Sequence, residues 1–301
     1  MPSEQDNLML SDGFRRVQHE VDSVFDAFLP MPTDTRTGLV DAMRYAAIGG
    51  GKRVRPLLLV STAEMFGVDR DAAVRAGCAV EAIHVYSLIH DDLPCMDDDD
   101  LRHGKPTVHK AFDEATAVLA GDALHALAFE ILSDKDTSND PFTRSELITT
   151  LAIASGKDGM AGGQMMDMVS QEADYDLPTI TRLQQLKTGA LLAASVEMGA
   201  VLGKVAPEGR AQLRAYARDI GLAFQIADDL LDEEGDETKA GKALRKDEGQ
   251  GKSTFVSLMG AEKAREQAHA LVDQAVAHLG SHGEEADMLR AMARFIVERD
   301  S

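Results

Sequence analysis

Apolar residues spaced three and four apart recur from one end of this chain to the other. Val17, Val21, Val24, Phe25 and Phe28 fall on one helical face, as do Ala264, Ala268, Leu271, Val272, Ala275 and Leu279, and again Met288, Leu289, Met292, Phe295 and Ile296. Ala-rich windows over Ala115–Phe129 and Ala190–Val201 favour helix by propensity. No sustained period-2 alternation bounded by hairpin turns interrupts them. Turn formers set the breaks. Gly49-Gly50-Gly51 stops one helix and Pro56 stands in the first turn of the next. Ser133–Pro141 is a polar loop, Asp174–Pro178 a further break, and Gly235–Lys252 a long basic, glycine-rich loop of the kind that is functional or disordered. No shift of composition and no fixed-period repeat divides residues 1–301. The expectation is an all-α fold, a single domain of ten or more helices.

Composition excludes several classes. Lys and Arg number 31 against 51 Asp and Glu, a net charge of −20, which argues against a phosphate-backbone ligand and so against nucleic acid. No uncharged run approaches the ~18–20 residues of a membrane span. Met1–Asn7 is acidic and lacks the layout of a secretory signal. With only Cys78 and Cys95, a disulfide scaffold is not expected, and a reducing cytoplasmic compartment is.

Two acidic clusters stand out against that background. Asp91, Asp92, Asp97, Asp98, Asp99 and Asp100 follow a helical stretch that Pro94 ends. A helix C-terminus disfavours negative charge by a few tenths to ~1 kcal/mol, so cations are expected among them. Asp228, Asp229 and Asp232 lie within FQIADDLLD, flanked by apolar residues, with Asp228 and Asp232 sharing a face. Like charges at that spacing destabilise a helix by roughly 0.2–0.5 kcal/mol. Oxygen ligands without His or Cys favour magnesium, manganese or calcium over zinc. A calcium loop fails, because position 5 counted from Asp97 is Leu101. Magnesium uses one or two carboxylates and completes its shell with water and phosphate oxygens, which points to a phosphorylated substrate.

The cations lie beside the acids. Lys52, Arg53 and Arg55 follow the triple glycine and open a helix, where backbone N–H groups and the dipole attract anions. The spacing is not that of a P-loop. Arg102, His103 and Lys105 follow the first acidic cluster, Lys187 and Thr188 sit mid-chain, and Lys242 and Lys252 follow the second cluster.

In order along the sequence, GGKRVRP, IHVYSLIHDDLPCMDDDDLRHGKPT, AGDAL, GGQMMD, KTG, FQIADDLLD and GKST resemble the trans-isoprenyl diphosphate synthases, most closely the bacterial farnesyl diphosphate synthases (geranyltranstransferases), from about Tyr45 to Thr254. The resemblance implies helices around a central cavity, the isoprenoid synthase fold, and a homodimer. It implies Mg2+, or Mn2+ in its place, held by Asp91, Asp92 and Asp97 on one side and Asp228, Asp229 and Asp232 on the other. Arg102, Lys187, Lys242 and Lys252 become partners of an allylic diphosphate (dimethylallyl or geranyl), and Lys52, Arg55 and His84 the pocket for isopentenyl diphosphate. Thr188 and Gln225 become dipoles beside the reacting carbon, which with Lys187 make the catalytic set. The implied reaction is ionisation of the allylic C–O bond, condensation, and loss of a proton to the departing diphosphate.

One residue departs from the family pattern. His103 stands where a second arginine is usual, and imidazole is only partly charged near pH 7 and lacks the guanidinium fork. Weaker binding of isopentenyl diphosphate is expected. Tyr86 and Ser87 precede Asp91 on the same helix. Tyr86, five residues back at ~1.5 Å each, would form a floor for the growing prenyl tail and favour a fifteen-carbon product. Geranylgeranyl diphosphate synthase is the alternative, with a deeper pocket. A terpene cyclase needs no second diphosphate site, and a non-catalytic regulatory subunit would be expected to lack aspartates that are all present here.

Overall fold

The computed structural model describes residues 4–170, 175–234 and 254–298, and about three quarters of them are helical. In sequence order the helices are α1 (Glu4–Phe28), α2 (Thr37–Ala47), α3 (Val54–Met65) and α4 (Arg70–Asp91); then a hairpin, β1 (Leu101–Arg102) and β2 (Lys105–Pro106); then α5 (Val108–Ala111), α6 (Glu114–Ser133), α7 (Pro141–Ser155), α8 (Met160–Ser170) and α9 (Leu177–Gln184). A π turn (Gln185–Gly189) leads into α10 (Ala190–Leu202) and α11 (Ala211–Glu234). The last elements are α12 (Phe255–Met259), α13 (Ala261–His278), a 3-10 turn (Glu284–Ala286) and α14 (Asp287–Glu298). The long basic loop expected over Gly235–Lys252 lies outside the described residues, and with it Lys242 and Lys252.

Short polar side chains start the helices, as N-cap chemistry requires. Asp69, Asp113, Asp140 and Asp176 each accept a hydrogen bond from a backbone N–H in the first turn of α4, α6, α7 and α9. Thr254 and Ser257 close a reciprocal capping box at α12. The ladder of apolar residues read from sequence in α1 is buried at Val17, Val21 and Phe25.

Helix α4 is the spine of the fold. It packs against α6, α3, α1 and α10, and its Ala73, Ala76, Ala79 and Ala82 are all fully buried. Alanine at those positions lets the neighbouring backbones approach. A second layer forms where α11 lies on α13, α10 and the π turn. Helices α4 and α6 are long and apolar enough to cross a membrane by length and composition alone, because each carries an apolar window broken by few charges; two thirds of that window in α4 is inside the fold.

The hairpin is a departure from the expected absence of strand. Its two-residue arms are too short to show alternation. His103 and Gly104 both have positive φ, 52° and 75°, as a two-residue type I′ connection requires.

Candidate active site

α4 delivers the first acidic cluster. The helix ends at Asp91, the backbone turns, and the Asp97 N–H donates to the Asp91 carbonyl at 2.8 Å, while the Asp99 N–H donates to the Asp92 carbonyl at 3.2 Å. The turn at Pro94 therefore reverses direction and brings Asp97 back beside Asp91. The hairpin then folds Arg102 onto the cluster. Its Nε and Nη2 both donate to Asp92 Oδ1, at 3.0 and 2.5 Å, and Nη2 also meets Asp99 Oδ2 at 3.3 Å. The cation demanded by six aspartates at a helix C-terminus is thus present.

Burial pushes Asp91 up to about 6; its neighbours Asp97 and Asp92 add to the effect, while Lys187 and Arg102 oppose it. Asp92 is likewise raised, first by burial, against the pull of Arg102. Two buried carboxyls beside a third, held above their ordinary range, form a site that a divalent cation would relieve. Among the described residues no three carboxylate, imidazole or thiol groups are already gathered at coordinating distance. A cation here would therefore draw on one or two carboxylates plus water and substrate oxygens, which is the habit of magnesium rather than of a calcium cage.

Lys187 and Thr188 enter from the π turn, whose wider coil is a feature often found at functional sites. Lys187 Nζ donates to Asp167 Oδ2 on α8 at 2.6 Å. Burial disfavours its charge, but Asp167, Asp91 and Asp97 outweigh that, and its pKa is raised. Gly163 makes this approach feasible: a methyl group there would overlap the backbone nitrogen and Cα of Lys187. Lys187, Thr188, Asp91, Arg55 and His84 share one cavity of about 330 Å³. Its remaining wall is largely apolar, with Met160, Met165 and Met168 from α8 and Tyr86 and Ser87 from α4.

Arg55 opens the other side of the cavity. It is attracted by Glu81 and by Asp228 of the second acidic cluster; burial still lowers its pKa. Burial, then the cations Arg55, His103, Arg102 and Arg53, hold His84 well below the usual histidine range, so its ring is neutral at pH 7. Arg55, Arg102 and His103 thus all lie close enough to act electrostatically on His84. His103 itself is exposed on the hairpin turn. Lys52 is exposed, with Nζ 5.9 Å from the centre of the Phe295 ring, and does not line the cavity.

On α11, Asp229 is buried and accepts a hydrogen bond from the Phe255 N–H at 2.8 Å, so this carboxylate also fastens the start of α12. Asp228 and Asp232 are half-buried. Gln225 is buried one turn before Asp229, on the helix that packs against the π turn.

Three features escaped the sequence reading. Asp167 holds Lys187, and Gln164 lines the cavity with both amide atoms buried and unpartnered. Both lie in GGQMMD, a motif visible in the sequence whose residues received no role. Third, Arg53 turns inward: its side chain is 1% exposed, meeting Glu81 at 2.8 Å and Asp22 at 2.7 Å.

Fold and cavity together define a class: an all-helical enzyme whose apolar chamber is rimmed by aspartates and buried cations. Residues 36–293 match the polyprenyl synthetase family, and the protein belongs to it. It is 45% identical over 278 residues to the farnesyl diphosphate synthase of Escherichia coli, covering 90% of this protein and 92% of that one. Plant geranylgeranyl pyrophosphate synthases match at comparable identity, 41% to 45%. Among solved structures, an FPP/GFPP synthase from Zymomonas mobilis is 60% identical with a TM-score of 0.88, covering 96% of this protein and 99% of that one. A geranyltransferase from Helicobacter pylori, complexed with magnesium and isoprenyl diphosphate, is 30% identical with a TM-score of 0.81, covering 99% and 98%.

Proposed function

We propose that this polyprenyl synthetase joins dimethylallyl or geranyl diphosphate to isopentenyl diphosphate and releases farnesyl diphosphate. One observation carries the reading: a single cavity is lined by Asp91, Lys187 and Thr188, by Arg55 and His84, and by Tyr86 with several methionines. Two anionic head groups and one hydrocarbon tail match that division.

Asp91, Asp92 and Asp97 on one side, and Asp228, Asp229 and Asp232 on the other, would hold magnesium, which when bound neutralises charge on the departing diphosphate. Lys187, kept protonated by Asp167, and Arg102 orient the allylic diphosphate, assisted by Lys242 and Lys252. Thr188 and Gln225 present neutral oxygen dipoles to the allylic cation, stabilising it without reorganising and without capturing it. Arg55 and neutral His84 fix the isopentenyl diphosphate so that its double bond faces that cation, while Lys52, turned toward Phe295, stands outside the cavity. The resulting tertiary cation loses a proton to the diphosphate, there being no strong side-chain base at the site. Tyr86, with small Ser87 beside it, ends the chamber and stops elongation at fifteen carbons.

A homodimer is part of the proposal. Val118 and Leu119 on α6 and Phe142 and Ile153 on α7 are 41% to 84% exposed, a surface suited to a second copy. Unpaired Cys78 and Cys95 suit a reducing cytoplasm. The test is incubation of purified protein with magnesium, isopentenyl diphosphate and dimethylallyl diphosphate, then mass analysis of the dephosphorylated products. Farnesol is expected, and none after chelation. Absence of any prenyl alcohol, or turnover indifferent to chelation, refutes the reading.

A further inference from the structure

Behind the first acidic cluster stands a buried histidine. His109 of α5 is 7% exposed, and its Nδ1 lies 3.2 Å from the Thr107 hydroxyl oxygen. That hydroxyl has one proton to give. The carbonyl oxygens of Asp99, at 2.8 Å, and Asp100, at 3.5 Å, can only accept, so the proton points at Asp99 and the lone pairs are left for the ring. The bond to Asp99 therefore assigns the proton of the neutral imidazole to Nδ1. Nε2 becomes a bare acceptor, buried without a hydrogen-bond partner among the described residues.

Two features set this pair apart from ordinary packing. Thr107 is the N-cap of α5, yet its hydroxyl caps no backbone N–H of that helix and is turned back to Asp99 instead. A buried nitrogen without a partner also costs free energy, so space-filling alone would favour an apolar side chain at 109. What the pair holds is the base of the hairpin. Thr107 donates its N–H to the Asp100 carbonyl at 3.0 Å and its hydroxyl to Asp99, so two residues just before β1 are fixed by the one just after β2. Asp99 in turn donates its N–H to the Asp92 carbonyl and accepts from Arg102, which itself donates to the Asp92 carboxylate. Tyr45 of α2 grips the hairpin independently, donating to the Pro106 carbonyl at 2.7 Å, so the strands keep an anchor when the Thr107 bond is lost.

We propose that His109 is a positioning residue for the allylic diphosphate site: by donating from Nδ1 to the Thr107 hydroxyl it aims that hydroxyl at Asp99, and so locks Asp99 and Arg102 against Asp92. The inference rests on the prenyltransferase reading above. His109 acts through two hydrogen bonds and not by contact with substrate.

The experiment separates the bond from the bulk. His109→Leu keeps the volume and removes the donor, His109→Asn keeps a donor near the Nδ1 position and loses volume, and Thr107→Val removes the hydroxyl at constant shape. In His109→Leu and in Thr107→Val the KM for dimethylallyl diphosphate should rise by about tenfold, more than that for isopentenyl diphosphate. The two together should do no more than either alone, because they break one chain of bonds. His109→Leu should melt no lower than the wild type, whereas His109→Asn should melt lower yet keep a near-normal KM. That crossing of stability and KM is what a merely structural role would not produce. In the metal-free protein in alkaline buffer, ring 15N shifts assigned by the signals missing from His109→Asn should show a protonated Nδ1 and a bare Nε2. A proton on Nε2 instead, an unchanged KM in His109→Leu, or a KM in His109→Asn that rises as it does in His109→Leu overturns the inference and leaves the enzyme reading intact. A wild type that makes no prenyl product overturns both.

Discussion

Glu81→Gln should cost this protein much of its stability and should also weaken one substrate selectively. Arg53 lies at a left-handed φ of 54°, immediately before α3, and its guanidinium is enclosed. It donates to Glu81 Oε1 at 2.8 Å, to Asp22 Oδ1 at 2.7 Å and to the Ala47 carbonyl at 2.5 Å. Asp22 also accepts the Gly49 N–H at 3.1 Å, so the glycine turn and the arginine share one anchor. Glu81 is 4% exposed at its side chain and also attracts Arg55. Neutralising it removes the counter-charge of two buried guanidinium groups, while the amide oxygen preserves shape and one hydrogen bond.

Breaking one partner of a buried pair typically costs about 3–5 kcal/mol, because the other charge is left uncompensated. For a protein of this size that lowers the melting temperature by roughly 5–8 °C. Calorimetry of the ligand-free protein supplies the first reading. Steady-state kinetics supply the second: the KM for isopentenyl diphosphate should rise at least several-fold as the Arg55 wall shifts, with the KM for the allylic substrate moving far less. Arg53→Met combined with Glu81→Leu should recover only part of the lost stability, since the apolar pair still leaves Asp22 without its guanidinium and Arg55 without Glu81. A loss below about 1 kcal/mol for Glu81→Gln would show that the network is not what holds this turn.

Three further outcomes follow from the site. Gly163→Ala drives a methyl into the Lys187 backbone, so activity should fall at least tenfold, with a loss of about 1–3 kcal/mol by thermal melt; unchanged turnover would show that the π turn yields freely. Asp91 has a folded pKa of about 6, raised from 3.8, so the carboxylate is disfavoured by folding. Its contribution to stability is present below about pH 4 and is lost as pH rises through 6; melts of metal-free wild type and Asp91→Asn across pH 4–8 should converge at the acid end, with the variant more stable at the alkaline end. His103→Arg should lower the KM for isopentenyl diphosphate, because the guanidinium adds a permanent charge and a fork to the wall shared by His84 and Arg102. An unchanged KM would mean that the exposed turn does not reach the substrate.

The helices were legible because each buries one stripe, and an apolar repeat such as Val17, Val21 and Phe25 is readable without knowing its partner. The breaks ending at Pro141 and Pro178 were legible too, and each proline proves to stand in the first turn of a helix after an aspartate cap. The hairpin was not, since Leu101–Arg102 paired with Lys105–Pro106 is too short to show a period. Nor was the π turn, for QLKTG continues the surrounding helical propensity and its extra coil arises where α8 presses Gly163 against Lys187. Nothing within GGGKRVRP says which cation turns inward. That is settled by Asp22 and Glu81, 31 and 28 residues away, and only tertiary packing brings them to Arg53.

The molecule separates structural charge from charge kept for a ligand. Arg53 and Arg210 each find protein partners, the first in two carboxylates and a carbonyl, the second in Glu146, Glu197 and the Val205 carbonyl. At the cavity the pattern reverses. Arg55 Nε and both amide atoms of Gln164 are buried without a hydrogen-bond partner, and Asp91 sits at a pKa that advertises its poor solvation. A buried polar group left unmatched costs about 1–3 kcal/mol, and Arg53 Nε, His109 Nε2 and Gln184 Oε1 show that such atoms occur away from the cavity too. What marks the chamber is that its lining adds to them a carboxyl raised by burial, a combination that anionic head groups and a divalent cation would relieve together. The free-energy deficit of these groups becomes part of the affinity of the filled chamber, and it is released only when both head groups are in place.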